Sequence, residues 1–165
     1  IILSGTANME RYDYNGNRSI IEKLSPNSVF GEVFSRLGSD ISVIATSDCE
    51  VLFIEYEHII KKCKKGCLYH NILTNNMLKL LSQKIVELNE RVEILSKRSI
   101  RDKLLSYFEL LASSNPKRSF LLPFTYTDLA DYLSVDRSAM MREIKNLKED
   151  GFIQTNGKKI TIIRY

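Results

Sequence analysis

Six apolar residues, Leu78, Leu81, Ile85, Leu88, Val92 and Leu95, recur at intervals of 3, 4, 3, 4 and 3. A strand, with its period of two, would scatter them over both faces, whereas a helix gathers them into one stripe. The stripe is as narrow as the a/d seam of a coiled coil. Ile85 and Val92 take the a positions and Leu81, Leu88 and Leu95 the d positions, a combination that favours two parallel strands. Three heptads are short, and the seam could instead pack on a β module of the same chain. Pairing is the stronger reading, so the six residues are expected to form a homodimer interface.

Ahead of that helix, residues 1–56 read as short strands separated by turns. Asn15-Gly16 lies between Met9–Tyr14 and Ser19–Leu24, and both turn residues tolerate positive φ, a strong hairpin signal. Ser25-Pro26-Asn27 breaks the pattern, and Ile41–Thr46 and Val51–Tyr56 are β-rich runs. A small barrel or roll is expected, followed by a short helix over 57–67 that Gly66 ends. The opening Ile1-Ile2-Leu3-Ser4-Gly5 has no starting Met and no charged head of a signal peptide. It reads as a strand entered partway, in a chain expected to lack its N-terminal part.

Several function classes are excluded by composition. With 44% hydrophobic and 27% charged residues in 165, the chain is ordinary globular protein. No apolar run approaches the roughly 20 residues that span a bilayer, so no membrane role is expected. Three cysteines, Cys49, Cys63 and Cys67, are too few for a disulfide scaffold and odd in number, which points to a reducing cytoplasm. Two histidines, His58 and His70, cannot supply the ligand cluster of a cupin-type metal enzyme. No Ser-His-Asp or Cys-His arrangement has supporting partners, so neither catalysis nor a cofactor is expected.

Charge is uneven along the chain. Residues 1–97 carry 12 Lys/Arg and 12 Asp/Glu, while residues 98–165 carry 12 against 8, so the whole net charge of +4 sits in the last part. A basic terminal module on a neutral body suits a polyanion partner, although a solvated basic surface would look the same.

The segment from Thr125 to Ile153 supplies the stronger sign. Lys97-Arg98-Ser99 interrupts the seam as a hinge, and a helix from Ile100 to Ala112 follows, with Leu104, Leu105, Phe108 and Leu111 on its apolar face. Ser113-Ser114-Asn115-Pro116 stops it. Thr125-Tyr126-Thr127-Asp128 then fits a capping box. Leu129, Ala130 and Leu133 make the buried side of the next helix, and small Ala130 lets a second helix cross closely. Ser134-Val135-Asp136 is the turn, and Asp136 can cap the second helix. Met140, Ile144 and Leu147 face its core, which leaves Arg137, Ser138, Met141, Arg142 and Lys145 outward. Arg forks read guanine N7 and O6, while Lys and Ser hold phosphates. Gly151 is a C-cap, and Asn156-Gly157 turns a second hairpin with Lys158 and Lys159 just past its tip. A helix-turn-helix followed by a basic hairpin is a winged helix. Thr125, Tyr126, Thr127, Arg137, Ser138, Met141, Arg142, Lys145 and Lys158 are its expected DNA-binding residues, with the wing lysines on backbone phosphates.

A β module, a paired long helix and a winged helix in this order resemble the CRP/FNR family of bacterial transcription regulators. Three stretches carry the resemblance, which covers the whole chain. Val29-Phe30-Gly31-Glu32-Val33 resembles the Gly-Glu opening of the family's effector cassette, and Ile44 to Ile54 resembles the strands after it. Val135 to Ile144 resembles the recognition helix, followed by Leu147 to Ile153. The resemblance implies an α+β fold: a β-roll of the cyclic-nucleotide-binding type (a jelly-roll barrel) over 1–69, a dimerisation helix and hinge over 70–98, and a winged helix-turn-helix over 99–165. It implies a cytoplasmic homodimer on double-stranded DNA with a two-fold operator, half-sites about one helical turn apart. RNA polymerase is an implied partner if the protein activates. The effector pocket would involve Gly31, Glu32, Arg36, Ser39 and Asp40.

The departures shape two expectations. Cyclic-nucleotide-binding members place Arg-Ser or Arg-Thr after the Gly-Glu to hold the cyclic phosphate. Alignment on Ala45 puts Ser39-Asp40 there, and an ungapped count from Gly31 puts Ser42-Val43 there. Neither supplies the Arg, so an unknown small molecule or redox signal other than cyclic AMP is expected. Many members also carry Glu after the first Arg of the recognition helix, where a carboxylate can accept from cytosine N4. Ser138 stands there, so those members' half-sites are not expected to transfer. Cys63, Cys67 and His70 fall at i, i+4 and i+7, permitting a sensor, but Gly66 interrupts them and buried Cys is commonly plain core. The alternatives are a β-roll signalling domain that binds no DNA and a DNA-binding protein with no ligand.

Overall fold

The computed structural model describes residues 1–31, 41–55, 68–113 and 115–164. Two compact units are present, Ile1–Asn89 and Glu90–Tyr165.

In the first unit, β1 (Ile2–Ser4), β2 (Ala7–Tyr12), β3 (Arg18–Leu24), β4 (Ile41–Ala45) and β5 (Glu50–Val51) form two antiparallel sheets. One has the order β3-β2-β4, and the other pairs β1 with β5. Period-two alternation sends Ala7 and Met9 to one face of β2, where they join Ile2 and Leu24 in a buried cluster flanked by Phe30, Ile41 and Val43. The register shifts between Met9↔Glu22 and Glu10↔Ile20, leaving Ile21 as the extra residue of a bulge.

The opposite face of β2 carries a surprise for a polar pair, since Asn8 and Glu10 are each only 3% exposed. A buried carboxylate is costly unless it is paired and hydrogen-bonded. Glu10 meets that need by accepting from Arg18 Nη1 at 3.2 Å, Asn8 Nδ2 at 3.3 Å and the Tyr12 hydroxyl at 3.2 Å.

The β2–β3 hairpin lies where Asn15-Gly16 predicts it, but its turn is built by Asp13. The Asp13 carboxylate accepts from the backbone N–H of Asn15 at 2.8 Å and of Asn17 at 2.9 Å, and from the Asn17 side chain at 2.8 Å. These bonds hold its carboxyl below the ordinary value, with the Asn17 side chain the largest cause. Of the run expected over 51–56, Val51 pairs with β1 as part of β5 and Leu52 exchanges two backbone hydrogen bonds of 2.8 Å with Ile1, while Tyr56 lies outside the described residues.

Helix α1 (Leu68–Ser96) runs 29 residues without interruption and is the helix that the seam predicts. In the single chain Leu78, Leu81, Ile85, Leu88 and Val92 stay 44–63% exposed, and Leu95 is half-buried. The unit boundary falls inside this helix. Ile94 is buried in the second unit, and the Arg91 guanidinium lies 4.4 Å from the centre of the Tyr132 ring. The turn at 97–99 therefore lies within the second unit.

The second unit continues with α2 (Ile100–Ala112), β6 (Ser119–Leu121), α3 (Tyr126–Leu133), α4 (Arg137–Glu149), β7 (Ile153–Asn156) and β8 (Lys159–Ile162). Ser99 caps α2 by accepting from the Asp102 N–H at 3.0 Å. Its buried face is Leu104, Tyr107, Phe108 and Ala112; Leu105 and Leu111, expected inside, are half-buried. Tyr107, which the apolar pattern leaves out, is buried in an aromatic cluster, 5.3 Å from Tyr132 and 6.4 Å from Phe124 between ring centres. Burial pushes its phenol far above the ordinary tyrosine range. The sheet order is β6-β8-β7, so a third strand extends the expected hairpin. Ser119-Phe120-Leu121 has too little length or alternation to announce itself, and pairing with Lys159–Thr161 is what makes it a strand.

Candidate nucleic-acid interface

The interface is assembled from α3, α4 and the β7–β8 turn. Helix α3 begins at Thr125, whose Oγ1 accepts from the Asp128 N–H at 3.1 Å and donates to the Asp128 carboxylate at 2.7 Å. Asp128 thus reaches back to the capping hydroxyl. Leu129, Ala130 and Leu133 are buried, as their spacing predicts. At the far end Ser134 adopts the left-handed conformation, φ +53°, uncommon for a residue with a side chain. Two cations satisfy carbonyls of that last turn: Lys103 Nζ donates to Leu133 O at 3.2 Å, and Arg91 donates to Tyr132 O at 3.5 Å. The second contact is long and adds less than the stack on the ring.

Three residues on, Asp136 caps α4 by accepting from the Ala139 N–H at 2.7 Å. Met140, Ile144 and Leu147 form its buried stripe, as the sequence predicts. The opposite side presents Arg137, Ser138, Arg142 and Lys145 exposed and Met141 half-buried. Among the described residues no ion pair engages Arg137 or Arg142. Lys145 lies 3.6 Å from Glu149, an exposed i,i+4 pair that water and salt weaken. The helix of 13 residues is about 20 Å long, ample for a groove about 12 Å wide.

What holds α4 in place is partly invisible in the sequence. Arg101, on α2, donates to Glu143 at 3.2 Å and to Asp150 at 2.6 Å, and its guanidinium lies 4.9 Å from the centre of the Phe152 ring. The bond to Asp150 raises the Arg101 pKa, so its charge is secure. Arg164 lies 5.2 Å from the same ring and donates to the Asp150 carbonyl. These partners stand 42 and 49 residues from Arg101, beyond any local spacing rule.

The wing turn differs by one residue from its prediction. Asn156 pairs with Lys159, so Gly157 and Lys158 are the central residues and Lys158 is at the tip. Gly157 has φ +59° while Lys158 does not share the left-handed region, the pattern of a type II′ turn. Of the first-helix residues, Thr125 and Thr127 are exposed, whereas Tyr126 is half-buried and donates its hydroxyl to Gly157 O at 3.2 Å.

The other expected sites are partly described. Gly31 is exposed with φ +91°; Glu32, Arg36, Ser39 and Asp40, with Cys63 and Cys67, lie outside the described residues. His70 is half-buried on α1, and Cys49 donates to Thr6 O at 3.2 Å. Among the described residues no group of three or more His, Cys, Asp or Glu could hold a metal ion. Also among them, no helix is long and apolar enough to cross a membrane. The first unit holds a cavity of about 280 Å³ between Pro26–Val29 and the α1 residues Met77, Leu80 and Leu81, bridged by an ion pair between Lys84 and Glu22.

Capped α3, the tight turn, α4 and a three-stranded wing define the second unit as a winged helix-turn-helix module. Comparison with known proteins carries the assignment further. A model of the cyclic nucleotide-binding domain matches residues 1–65, and one of the Crp-like helix-turn-helix domain matches residues 102–165. Among curated relatives, "Probable transcriptional regulator flp" of Lacticaseibacillus casei is 24% identical over 92% of this chain. "Transcriptional activator protein FnrL" of Cereibacter sphaeroides is 24% identical over 98%. The chain spans 61% of the first relative's length and 67% of the second's. A solved structure of a CooA mutant from Carboxydothermus hydrogenoformans matches with a TM-score of 0.79 at 15% identity, over 98% of this chain and 72% of that one, a likeness of fold. The chain belongs to the CRP/FNR family of transcription regulators.

Proposed function

We propose that this protein is a sequence-specific DNA-binding regulator that acts in the cytoplasm as a homodimer on a two-fold operator. The observation that carries the reading is the outward face of α4. Arg137, Ser138, Met141, Arg142 and Lys145 stand opposite a fully buried Met140, Ile144 and Leu147, on a helix whose N-terminus Asp136 caps. Residues near that N-terminus read bases, and Lys158 on the wing, with Thr125 and Thr127 at the start of α3, meets backbone phosphates.

Pairing is supported by the seam of α1, five of whose six apolar residues stay 44–63% exposed in the single chain. A parallel pair of such helices carries two recognition helices related by two-fold symmetry, which a palindromic operator matches. RNA polymerase would be a partner if the protein activates.

The effector is a small molecule or redox signal other than cyclic AMP, for want of the Arg-Ser or Arg-Thr pair. It acts only through its different affinity for two arrangements of the recognition helices. The cavity beside α1 offers it a place, since Leu81 belongs both to the cavity wall and to the seam.

Selection of binding sites from a random duplex pool, using the whole chain with no effector, tests the reading. Recovery of an inverted repeat is expected if the free protein populates a binding-competent state. Recovery of nothing by a folded dimer would mean that an effector is obligatory, and the same selection repeated with cell metabolites would then decide. Micromolar binding of cyclic AMP in a calorimetric titration would overturn the effector assignment.

A further inference from the structure

The wing tip is held from the segment that leads into α3. Asn156, Gly157, Lys158 and Lys159 are all exposed, and the apolar anchors of the hairpin, Ile153, Ile160 and Ile162, sit along the strands and not at the turn. A tip built this way has little packing to fix it. Yet both of its central carbonyls are engaged. Leu122 N–H donates to Lys158 O at 2.8 Å, and the Tyr126 hydroxyl donates to Gly157 O at 3.2 Å. Leu122 is itself buried, and Tyr126 opens α3 next to its cap. Burial raises the Tyr126 phenol above its ordinary value, so it remains a donor at any pH at which the protein works.

We propose that Tyr126 is a positioning residue for the wing, whose hydroxyl sets Lys158 in register with the start of α3 so that the tip meets a backbone phosphate already ordered. This rests on the module's reading as a DNA-binding one. Tyr126 acts through Lys158 and does not itself contact the duplex. Ordering a mobile turn and a long side chain on binding weakens association, and holding them beforehand removes that cost. The contact carries no base information, because a phosphate is the same for every sequence.

The experiment compares four forms of the whole chain: wild type, Tyr126→Phe, Lys158→Ala and the double variant. Affinity is measured by fluorescence anisotropy on the selected operator and on an unrelated duplex, each over a salt series. Hydrogen exchange of residues 156–159 is followed in the free proteins. Tyr126→Phe is expected to bind both duplexes about three- to tenfold more weakly, to exchange its wing-tip amides faster and to keep the wild-type salt slope, since the phosphate contact still forms in the complex. The double variant is expected to bind no more weakly than Lys158→Ala alone. A merely structural loss would instead add in full to that of Lys158→Ala, and this outcome overturns the proposal. So does a Tyr126→Phe protein that binds like wild type, or one whose base preference changes, since the latter marks a direct contact. If wild type binds no duplex with or without metabolites, the DNA-binding reading fails, and this proposal with it. Failure of the positioning role alone shows as intact wild-type binding with no coupling between the two sites.

Discussion

Replacing Ile85 with Asp tests the seam where the structure makes the outcome calculable. Ile85 is 59% exposed in the single chain and occupies an a position, so its own protomer leaves most of its side chain uncovered. Fully burying an isoleucine side chain contributes about 1.5–3 kcal/mol relative to leaving it exposed. Scaled by that exposure, pairing gains about 1–2 kcal/mol from each Ile85, or about 2–4 kcal/mol from the two. Loss of this term alone weakens the dimer by about 30- to 700-fold. Two carboxylates facing one another across the seam weaken it further, because burying unpaired like charges is unfavourable. Sedimentation velocity over a concentration series is the assay. Wild type is expected to move from monomer to dimer as concentration rises, and Ile85→Asp to remain monomeric throughout. Far-ultraviolet circular dichroism and the thermal midpoint of the second unit should be unchanged, which separates lost pairing from lost folding. On DNA the variant should bind an inverted repeat no better than a single half-site. A variant that still forms the wild-type dimer would show that the chains pair through another surface. A wild type that is monomeric both free and on DNA would refute pairing altogether.

Other expectations follow from the same contacts. Arg142→Ala should cost about 1–3 kcal/mol of operator binding and relax base preference at one or two positions, read by anisotropy and a repeated selection; unchanged affinity and preference would show that α4 does not enter the groove. Ala130→Leu should lower stability by about 1–3 kcal/mol through overpacking where α3 meets α4, seen as a fall of several degrees in the calorimetric midpoint, because Ala130 is 1% exposed. A midpoint that holds or rises would mean that the helices cross with space to spare. Asp13 has a folded-state pKa below its unfolded one, so its contribution is present above about pH 4 and is lost as pH falls through the lowered value. Nuclear magnetic resonance shifts of the Asn15 and Asn17 amides should therefore titrate below the ordinary carboxylate range. Titration at the ordinary value would mean that those bonds do not persist in solution.

Much of the site was legible because its determinants are local. The buried stripes of α3 and α4, the caps Thr125 and Asp136 and the outward residues of α4 all follow from spacing within a few turns of helix. Helix α1 and the exposed apolar stripe along it were legible for the same reason. Where the reading fell short, the deciding contact was distant in sequence. Tyr107, left out of the expected apolar face, is buried because Phe124 and Tyr132 come to meet it. The wing turn slipped by one residue because the ladder between β7 and β8 pairs Asn156 with Lys159. Tyr126, grouped with the DNA contacts, turned its hydroxyl to the wing, a partner 31 residues away.

The amino-acid sequence by itself determined which segments are helices, which of their faces are apolar and where the basic charge lies, since periodicity and capping act over at most a few residues. Only the tertiary structure decided what fixes those elements to one another: Arg101 bridging to Glu143 and Asp150, Lys103 on the end of α3, β6 beside β8, and the two carbonyls of the wing tip. Such contacts join residues tens of positions apart. Apart from the short ladder of β6 on β8, each is one hydrogen bond or ion pair with no period of its own, so nothing in the order of residues marks it until the chain has folded.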